Sequence, residues 1–507
     1  MGASRLILPW SRALVQALGL ALVYAAGPGI LREAGVFALA VPGLALFAWS
    51  ARRAPSEREP RTWLADWLSL ALFVGAEMGW VVHVAPPMLP IVALGLSLPL
   101  LVAPLALRRL APALPLALAL PLAWVGAEAF HHLLPLPFGV SWLDLGHPWI
   151  DAPLLGGSAR VWGVWGLSWC AAALAGLALD LFDRRPALVP ALAFGIGPLV
   201  LGIAASLATS AGEFTAGPRL LLVQPGIAQS LKNEPDDAMT ILRTSLHHTQ
   251  LGLGAARKAG RPDPDLVCWS ETMFVAPVLA DGMVERFEQG LALPRLHTPL
   301  ELEHTRNMRD WEQLIVRGTL YGQPMPAEWK QSFGNLGFGP HTSFLSGAEV
   351  IFEQDGAARR GNGVVLWSAP GAKKQPFALK QFLVPGAETF YGLEKFDLVQ
   401  KGVDRFAPYV PDLARGDHTG VFELARASGR PVRFSATVCF DNAFAEPYVS
   451  AVAAEAAAGR CLDFHVVATN EAWYRGDVRL GERVVEAHRR READRATAGA
   501  RELEHAG

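Results

Sequence analysis

The chain is short of charged residues, and the shortage is confined to its first 205 residues. Of 507 residues only 18% are charged, against roughly 25% in a typical soluble domain. Residues 1–205 contain 12 basic and 10 acidic side chains, which leaves 33 of the 45 basic and 37 of the 47 acidic ones for the remaining 302 residues. The first lysine is Lys232. This asymmetry excludes a uniformly soluble protein and also a chain that is embedded in a membrane throughout.

A basic excess and clustered cysteines are missing as well. The formal net charge is −2, which offers no basic surface to a nucleic acid. The four cysteines are too few and too scattered for a disulfide framework, and no two form the C-x-x-C pair of many zinc sites. We therefore expect no nucleic-acid partner, no metal and no cofactor. Two of the cysteines, Cys268 and Cys461, are expected to be small core residues.

Long apolar runs fill residues 1–208. A membrane-spanning helix needs about 20 mostly apolar residues, and seven segments are candidates, the second of them short: 13–31, 35–50, 63–85, 88–107, 111–130, 161–182 and 187–207. Ten of twelve loop arginines fall on one side, which predicts a cytoplasmic N-terminus. Seven spans then place everything after about Ser210 outside the cytoplasm. The alternative interpretation of the first segment is a signal peptide.

A few polar residues interrupt these apolar runs. Asp66, Glu77 and Glu128 lie inside predicted spans, where a carboxyl group is costly unless it faces protein or water. We expect them to make hydrogen bonds between packed helices or to lie near the membrane surface. The aromatic loop 131–153 is predicted to lie at the outer membrane interface.

The second half of the chain has the composition of an ordinary globular domain. Four short apolar runs predict buried strands, at 219–224, 265–269, 433–439 and 462–469, with helical stretches such as 235–259 between them. Strands that alternate with helices predict an α/β layered domain. The expected organisation is a membrane bundle at 1–208, an α/β domain at 209–480 with an insertion at about 285–345, and a polar tail at 481–507.

Three reactive side chains stand at predicted strand ends or in loops, where α/β domains collect ligands. They are Glu271, Lys380 and Cys439. A cysteine nucleophile needs a base for its proton and a cation that favours the developing negative charge. Glu271 could supply the base and Lys380 the cation. The alternative is structural, with Cys439 a small core residue and Glu271 a helix cap or surface group.

Motifs in a fixed order resemble those of the apolipoprotein N-acyltransferases, membrane members of the nitrilase superfamily. Residues 138–146 resemble the family's F-P-W-L-x-L-G loop, and residues 163–168 resemble its next helix signature. The polar half continues the resemblance at 223–232, 265–272, 380–388, 439–441 and 469–474. Together these motifs extend over about residues 10–480.

This resemblance implies a multi-pass helical bundle in the inner membrane and an extracytoplasmic domain of the αββα nitrilase type. The implied acyl donor is a membrane phospholipid, and the implied acceptor is the α-amino group of a diacylglyceryl-cysteine at the N-terminus of a lipoprotein. No cofactor is implied, and we expect a monomer.

The resemblance also implies a role for each site residue. Glu271 would be the general base, Lys380 would stabilise the oxyanion, and Cys439 would form an acyl thioester. Supporting residues would be Glu388, Asp441 and Trp473.

The chain also departs from the family pattern. Asn233 stands where the family often has tryptophan, and Phe440-Asp441 replaces Tyr-Glu. After Asp477 the chain is polar, where the family continues with strands and a last span, so we expect a truncated or divergent member. Two alternatives stay open, a membrane-anchored nitrilase-like amidase and an inactive paralogue that binds lipid or lipoprotein.

Overall fold

In the computed structural model the chain divides into two compact units, at 1–214 and 215–472. Residues 3–27, 36–52, 61–84, 86–136, 138–140, 143–149, 152, 154–183, 188–210, 217–227, 238–292, 302–369, 373–392, 395–397, 401, 413–427 and 429–470 are described. Asn233, Trp473 and the predicted tail lie outside these ranges.

The first unit consists of helices. They are α1 (Ala3–Ala26), α2 (Ala40–Ala51), α3 (Arg61–Glu77), α4 (Val81–Val84), α5 (Met88–Leu100), α6 (Val102–Leu110), α7 (Leu116–Leu133), α8 (Ala159–Phe182) and α9 (Leu188–Ser210). Four stretches of the described residues are long and apolar enough to cross a membrane: Met88–Leu110, Leu116–Leu133, Val161–Phe182 and Val189–Ala208. They coincide with four of the seven predicted spans, while Arg12–Ala26 and Phe37–Ala51 are shorter apolar helices.

Buried carboxyl groups in this unit have polar partners. Asp66 accepts hydrogen bonds from Gln16 Nε2 at 2.8 Å and from Arg108 Nη2 at 2.5 Å. Glu128 Oε1 accepts from Trp124 Nε1 at 3.0 Å and from the backbone N–H of Leu145 at 2.8 Å. The bonds of Asp66 join α3 to α1 and α6, as the helix-packing interpretation requires, whereas those of Glu128 stay within α7 or reach the loop that follows it.

The second unit contains two sheets. The first has the order β1 (Leu220–Val223), β2 (Leu266–Leu279), β3 (Ser343–Gln354), β4 (Ala357–Ser368) and β5 (Lys373–Lys374), with β6 (Ala378–Leu379) also paired to β4. The second has the order β7 (Gly420–Leu424), β8 (Val432–Val438) and β9 (Phe464–Ala468). All four predicted runs form strands, but the prediction that all are buried is wrong for β1, where Leu220 and Leu222 are exposed because β1 lies at the sheet edge. The helix predicted at 235–259 is α10 (Ala238–Lys258).

Apolar side chains from the two sheets form one shared core. Leu266, Leu345 and Leu366 of the first sheet pack with Phe434 and Val466 of the second. The other face of the first sheet is covered by α10 and by helices of the segment between β2 and β3. Strand burial on both faces explains why these strands read as unbroken apolar runs in the sequence.

The segment predicted as an insertion contains the connection between β2 and β3. It comprises α11 (Met283–Glu288), α12 (Leu302–Gln313), a π-helix (Leu314–Leu320) and α13 (Ala327–Phe333). Because β2 and β3 are parallel, the chain must cross over between them. Glu312 of α12 accepts a hydrogen bond from Trp367 Nε1 at 2.9 Å and lies 3.4 Å from Lys374 Nζ. The crossover is thereby fixed to the sheet.

An irregularity in β2 sets the position of Glu271. Trp269 pairs with Ser346 and Phe274 with Ala348, so four residues of β2 lie opposite the single residue Gly347 of β3. The prediction that this strand ends at Glu271 is wrong, because it resumes regular pairing and continues to Leu279. A bulge of this kind re-aims the side chains that it carries.

Gly347→Ala should disturb this bulge. A Cβ atom at Gly347 would lie 2.6 Å from Glu271 Cα and 2.8 Å from the backbone nitrogen of Thr272. Since backbone atoms cannot yield as a side chain does, we expect a loss of about 1–3 kcal/mol of stability. The apparent melting temperature of the full chain in detergent measures it.

The matched control is Gly254→Ala on α10. No atom lies within 4 Å of a Cβ built at Gly254, and alanine is favoured over glycine in a helix by about 1 kcal/mol. Equal melting temperatures for the two variants would contradict the close approach at Gly347.

Candidate active site

The three predicted catalytic side chains lie together in the second unit. Glu271 is in the β2 bulge, Lys380 directly follows β6, and Cys439 directly follows β8. Lys380 Nζ lies 3.5 Å from Glu271 Oε1. Glu271 and Lys380 both act on the pKa of the Cys439 thiol, which places all three side chains close to one another. Three segments that are far apart in sequence thus supply a base, a cation and a thiol to one site.

Lys380 carries a buried positive charge. Its side chain is 1% exposed, and Nζ lies 2.8 Å from Glu388 Oε2 and 3.0 Å from Glu388 Oε1. Burial alone lowers the pKa of an ammonium group, but the thiolate form of Cys439 and the carboxylates of Glu388 and Glu271 raise the Lys380 pKa well above its usual value. Lys380 is therefore a permanent cation beside the thiol.

Cys439 is a half-buried thiol with a raised pKa. Burial raises its pKa above the usual value, the neighbouring Glu271 raises it further, and Lys380 opposes both. The residue begins a 3₁₀ turn, Cys439–Ala443, with a positive φ of 46°. A non-glycine residue in this region is strained unless its surroundings hold it there. The thiol thus needs a base for activation, and Glu271 is in contact with it.

Asp441 holds this turn in place through hydrogen bonds from backbone N–H groups. Its Oδ1 accepts the backbone N–H groups of Gln381 at 3.0 Å and Phe382 at 2.8 Å, and its Oδ2 accepts that of Val438 at 3.2 Å. Burial raises the pKa of Asp441 to about 6, against the effect of these hydrogen bonds. The predicted supporting residue therefore connects the turn of Cys439 to the loop that follows Lys380.

Glu388, the other predicted supporting carboxylate, lies in a tight loop after Lys380 that brings its side chain back to the ammonium group. Its Oε2 accepts the backbone N–H of Val384 at 2.8 Å, in addition to the contacts with the ammonium group. Trp473, the third predicted supporting residue, lies outside the described residues.

Sequence reasoning missed Asn362, which connects the two carboxylates. This buried residue of β4 donates one hydrogen bond to Glu271 Oε1 at 2.8 Å and one to Glu388 Oε1 at 3.0 Å, both from Nδ2. Its signal in the sequence is a lone amide at the head of the apolar run 362–367. Strand β4 itself was not predicted, although Asp355-Gly356 at its start, with φ values of 53° and 74°, is a typical two-residue hairpin turn.

The other two cysteines of this unit differ from each other. Cys268 is buried between the sheets, as predicted. Cys461 is exposed, so its prediction as a core residue is wrong, because it lies in the loop before β9 and not in the strand. Among the described residues, no group of three His, Cys, Asp or Glu side chains could hold a metal ion.

The first unit carries the match to a known family. Residues 18–177 match the family model described as the apolipoprotein N-acyltransferase N-terminal domain. Over this segment the chain is similar to the apolipoprotein N-acyltransferase family. The site residues all lie beyond the matched segment.

Curated relatives align over part of their length. The apolipoprotein N-acyltransferase of Bordetella bronchiseptica is 35% identical over 154 residues, which are 29% of this chain and 26% of the relative. That of Azotobacter vinelandii is 31% identical over 188 residues, which are 36% of this chain and 34% of the relative. The chain thus covers about a quarter to a third of the relatives that it matches.

Asn362→Ala should weaken the site without removing any charged group. Hydrogen bonds to charged groups contribute about 1.5–3 kcal/mol each. Loss of the amide is therefore expected to lower kcat for the acyl transfer that the family resemblance implies by about 10- to 100-fold.

Asn335→Ala is the matched control, because Asn335 is an exposed amide that bonds to the backbone of Gly337. Unchanged kcat in Asn362→Ala would show that the amide does not orient the two carboxylates.

Proposed function

We propose that the chain is an apolipoprotein N-acyltransferase, which moves an acyl chain from a phospholipid to the α-amino group of a diacylglyceryl-cysteine. The observation that carries this proposal is the pairing of Lys380 with Glu271 at 3.5 Å beside the thiol of Cys439, in a chain whose residues 18–177 match the family's N-terminal domain. An αββα nitrilase-type fold of the second unit and a monomeric state are parts of the same proposal.

The first half-reaction acylates the cysteine. Glu271 takes the proton of the Cys439 thiol, and Sγ attacks the carbonyl carbon of the phospholipid ester. Lys380 stabilises the oxyanion of the tetrahedral intermediate. When the C–O bond breaks, Glu271 returns its proton to the departing lysophospholipid oxygen, and a thioester remains on Cys439.

The second half-reaction transfers the acyl chain to nitrogen. The α-amino group of the lipoprotein attacks the thioester carbonyl, and Glu271 accepts the proton that the amine loses. The C–S bond breaks, the proton passes to the cysteine sulfur, and the amide product leaves. The two substrates therefore react in turn, which predicts ping-pong kinetics.

The source of the acyl chain follows from the proposed topology. The bias of loop arginines supports a cytoplasmic N-terminus and, with seven spans, a second unit outside the cytoplasm. No ATP is available there to activate a fatty acid, so the acyl chain must come from an existing ester. The proposed location is the inner membrane, where phospholipid esters are abundant.

The acyl-enzyme is the testable intermediate. Full-length protein incubated in detergent with a phospholipid of defined acyl chains should gain one acyl mass on the peptide that contains Cys439. Hydroxylamine should remove this mass, since it cleaves thioesters. Cys439→Ala should lack the adduct and lose transfer to a lipopeptide amine by at least about 10³-fold.

Cys461→Ala is the control, because it removes an exposed thiol of the same unit and should keep the adduct. Acyl transfer by Cys439→Ala, or an adduct on another residue, would reject the mechanism. Release of ammonia from simple amides without phospholipid would indicate an amidase instead.

A further inference from the structure

His465 of β9 lies beside the strand that leads to Cys439. Strands β8 and β9 are parallel, and His465 pairs with Ser435 in the register. Its Nδ1 lies 2.6 Å from Ser435 Oγ, and its Nε2 lies 2.9 Å from Thr437 Oγ1. The imidazole thus holds β8 at two points, two and four residues before the thiol.

A second contact leads from His465 to the far end of the same turn. The ring of Tyr448, on α14 (Glu446–Ala457), lies 4.4 Å from the imidazole ring. The Tyr448 hydroxyl donates a hydrogen bond to Asn442, which belongs to the turn Cys439–Ala443. His465 therefore contacts both the strand before the turn and the helix residue that holds its end.

The imidazole is neutral in this environment. Burial lowers its pKa to about 4, so near neutral pH one ring nitrogen donates and the other accepts. The hydroxyl groups of Ser435 and Thr437 can complement either arrangement, because each can donate or accept. Because both ring nitrogens are hydrogen-bonded, the orientation of the imidazole ring is fixed.

We propose that His465 is a positioning residue for the nucleophile and acts through Thr437. The proposal rests on the proposed role of Cys439. The positive φ of Cys439 must be held by its surroundings. Asp441 holds the turn through three backbone hydrogen bonds, and the bond between His465 and Thr437 holds the end of the strand before it. The thiol then stays in contact with Glu271 and Lys380.

The contacts distinguish this role from simple packing. The neighbouring residue Val466 faces the apolar core between the sheets, whereas His465 makes polar contacts on the opposite face. Of its two partners, Thr437 is nearer to Cys439 in the chain. Loss of the bond to Thr437 should therefore matter more than loss of the bond to Ser435.

The test measures alkylation of Cys439 by iodoacetamide, quantified on its own peptide, together with kcat and KM. His465→Leu and Thr437→Val should each lower the alkylation rate and kcat by about 10- to 100-fold, with KM unchanged. Ser435→Ala should stay within about twofold of wild type. His465→Gln, whose side-chain amide can still reach Thr437, should keep most of the alkylation rate and kcat that His465→Leu loses.

Val466→Ala is the control for destabilisation, since it weakens the same strand from its other face. Equal losses of alkylation rate in Thr437→Val and Ser435→Ala would overturn the proposal. It would also be overturned if His465→Leu and Val466→Ala, at an equal fall in melting temperature, lost the same alkylation rate. Alkylation tests the positioning role alone. Normal alkylation without acyl transfer in wild type would reject the proposed function instead.

Discussion

The site depends on one buried ammonium group. Lys380 lies within 3.5 Å of two carboxylates and feels the charge of the cysteine. Burying a charge is costly unless opposite charges and hydrogen bonds surround it, and removal of one partner leaves the others uncompensated. The bulge that carries Glu271, the amide of Asn362 and the loop of Glu388 all bring groups to this cation. The geometry of the candidate site is therefore also a condition of the unit's stability.

Buried charged groups in the first unit also need polar partners, but there the partners serve the packing of the unit. Asp66 is buried and is bound by Gln16 and Arg108, so its charge has near neighbours. Glu128 is bound by an indole and by a backbone N–H. These carboxyl groups connect helices, whereas Glu271 and Glu388 surround a cation next to a reactive thiol. Burial alone therefore does not make a carboxyl group a candidate catalytic residue; a neighbouring cation and thiol do.

The elements predictable from sequence were those with a local signal. Apolar runs located β1, β8 and β9, and the residue types at strand ends located Glu271, Lys380 and Cys439. The β2 bulge could not be predicted, because it depends on the register against Gly347, a pairing over about eighty residues. Asn362 was missed with its hairpin, and its role depends on where two distant carboxylates meet. The contacts of His465 likewise depend on the pairing of β8 with β9.

The central claim, that Lys380 supplies the charge that makes Cys439 reactive, is tested by the pH dependence of Cys439 alkylation in Lys380→Met. The control for unfolding is the double variant Lys380→Met/Glu388→Gln, which also removes the Glu388 charge that Lys380→Met leaves unpaired. An opposite charge nearby lowers the pKa of an acid by about 1–3 units. Loss of the ammonium group should therefore raise the midpoint pH of alkylation by about one unit or more in both variants. A midpoint that stays in place or falls would contradict the account.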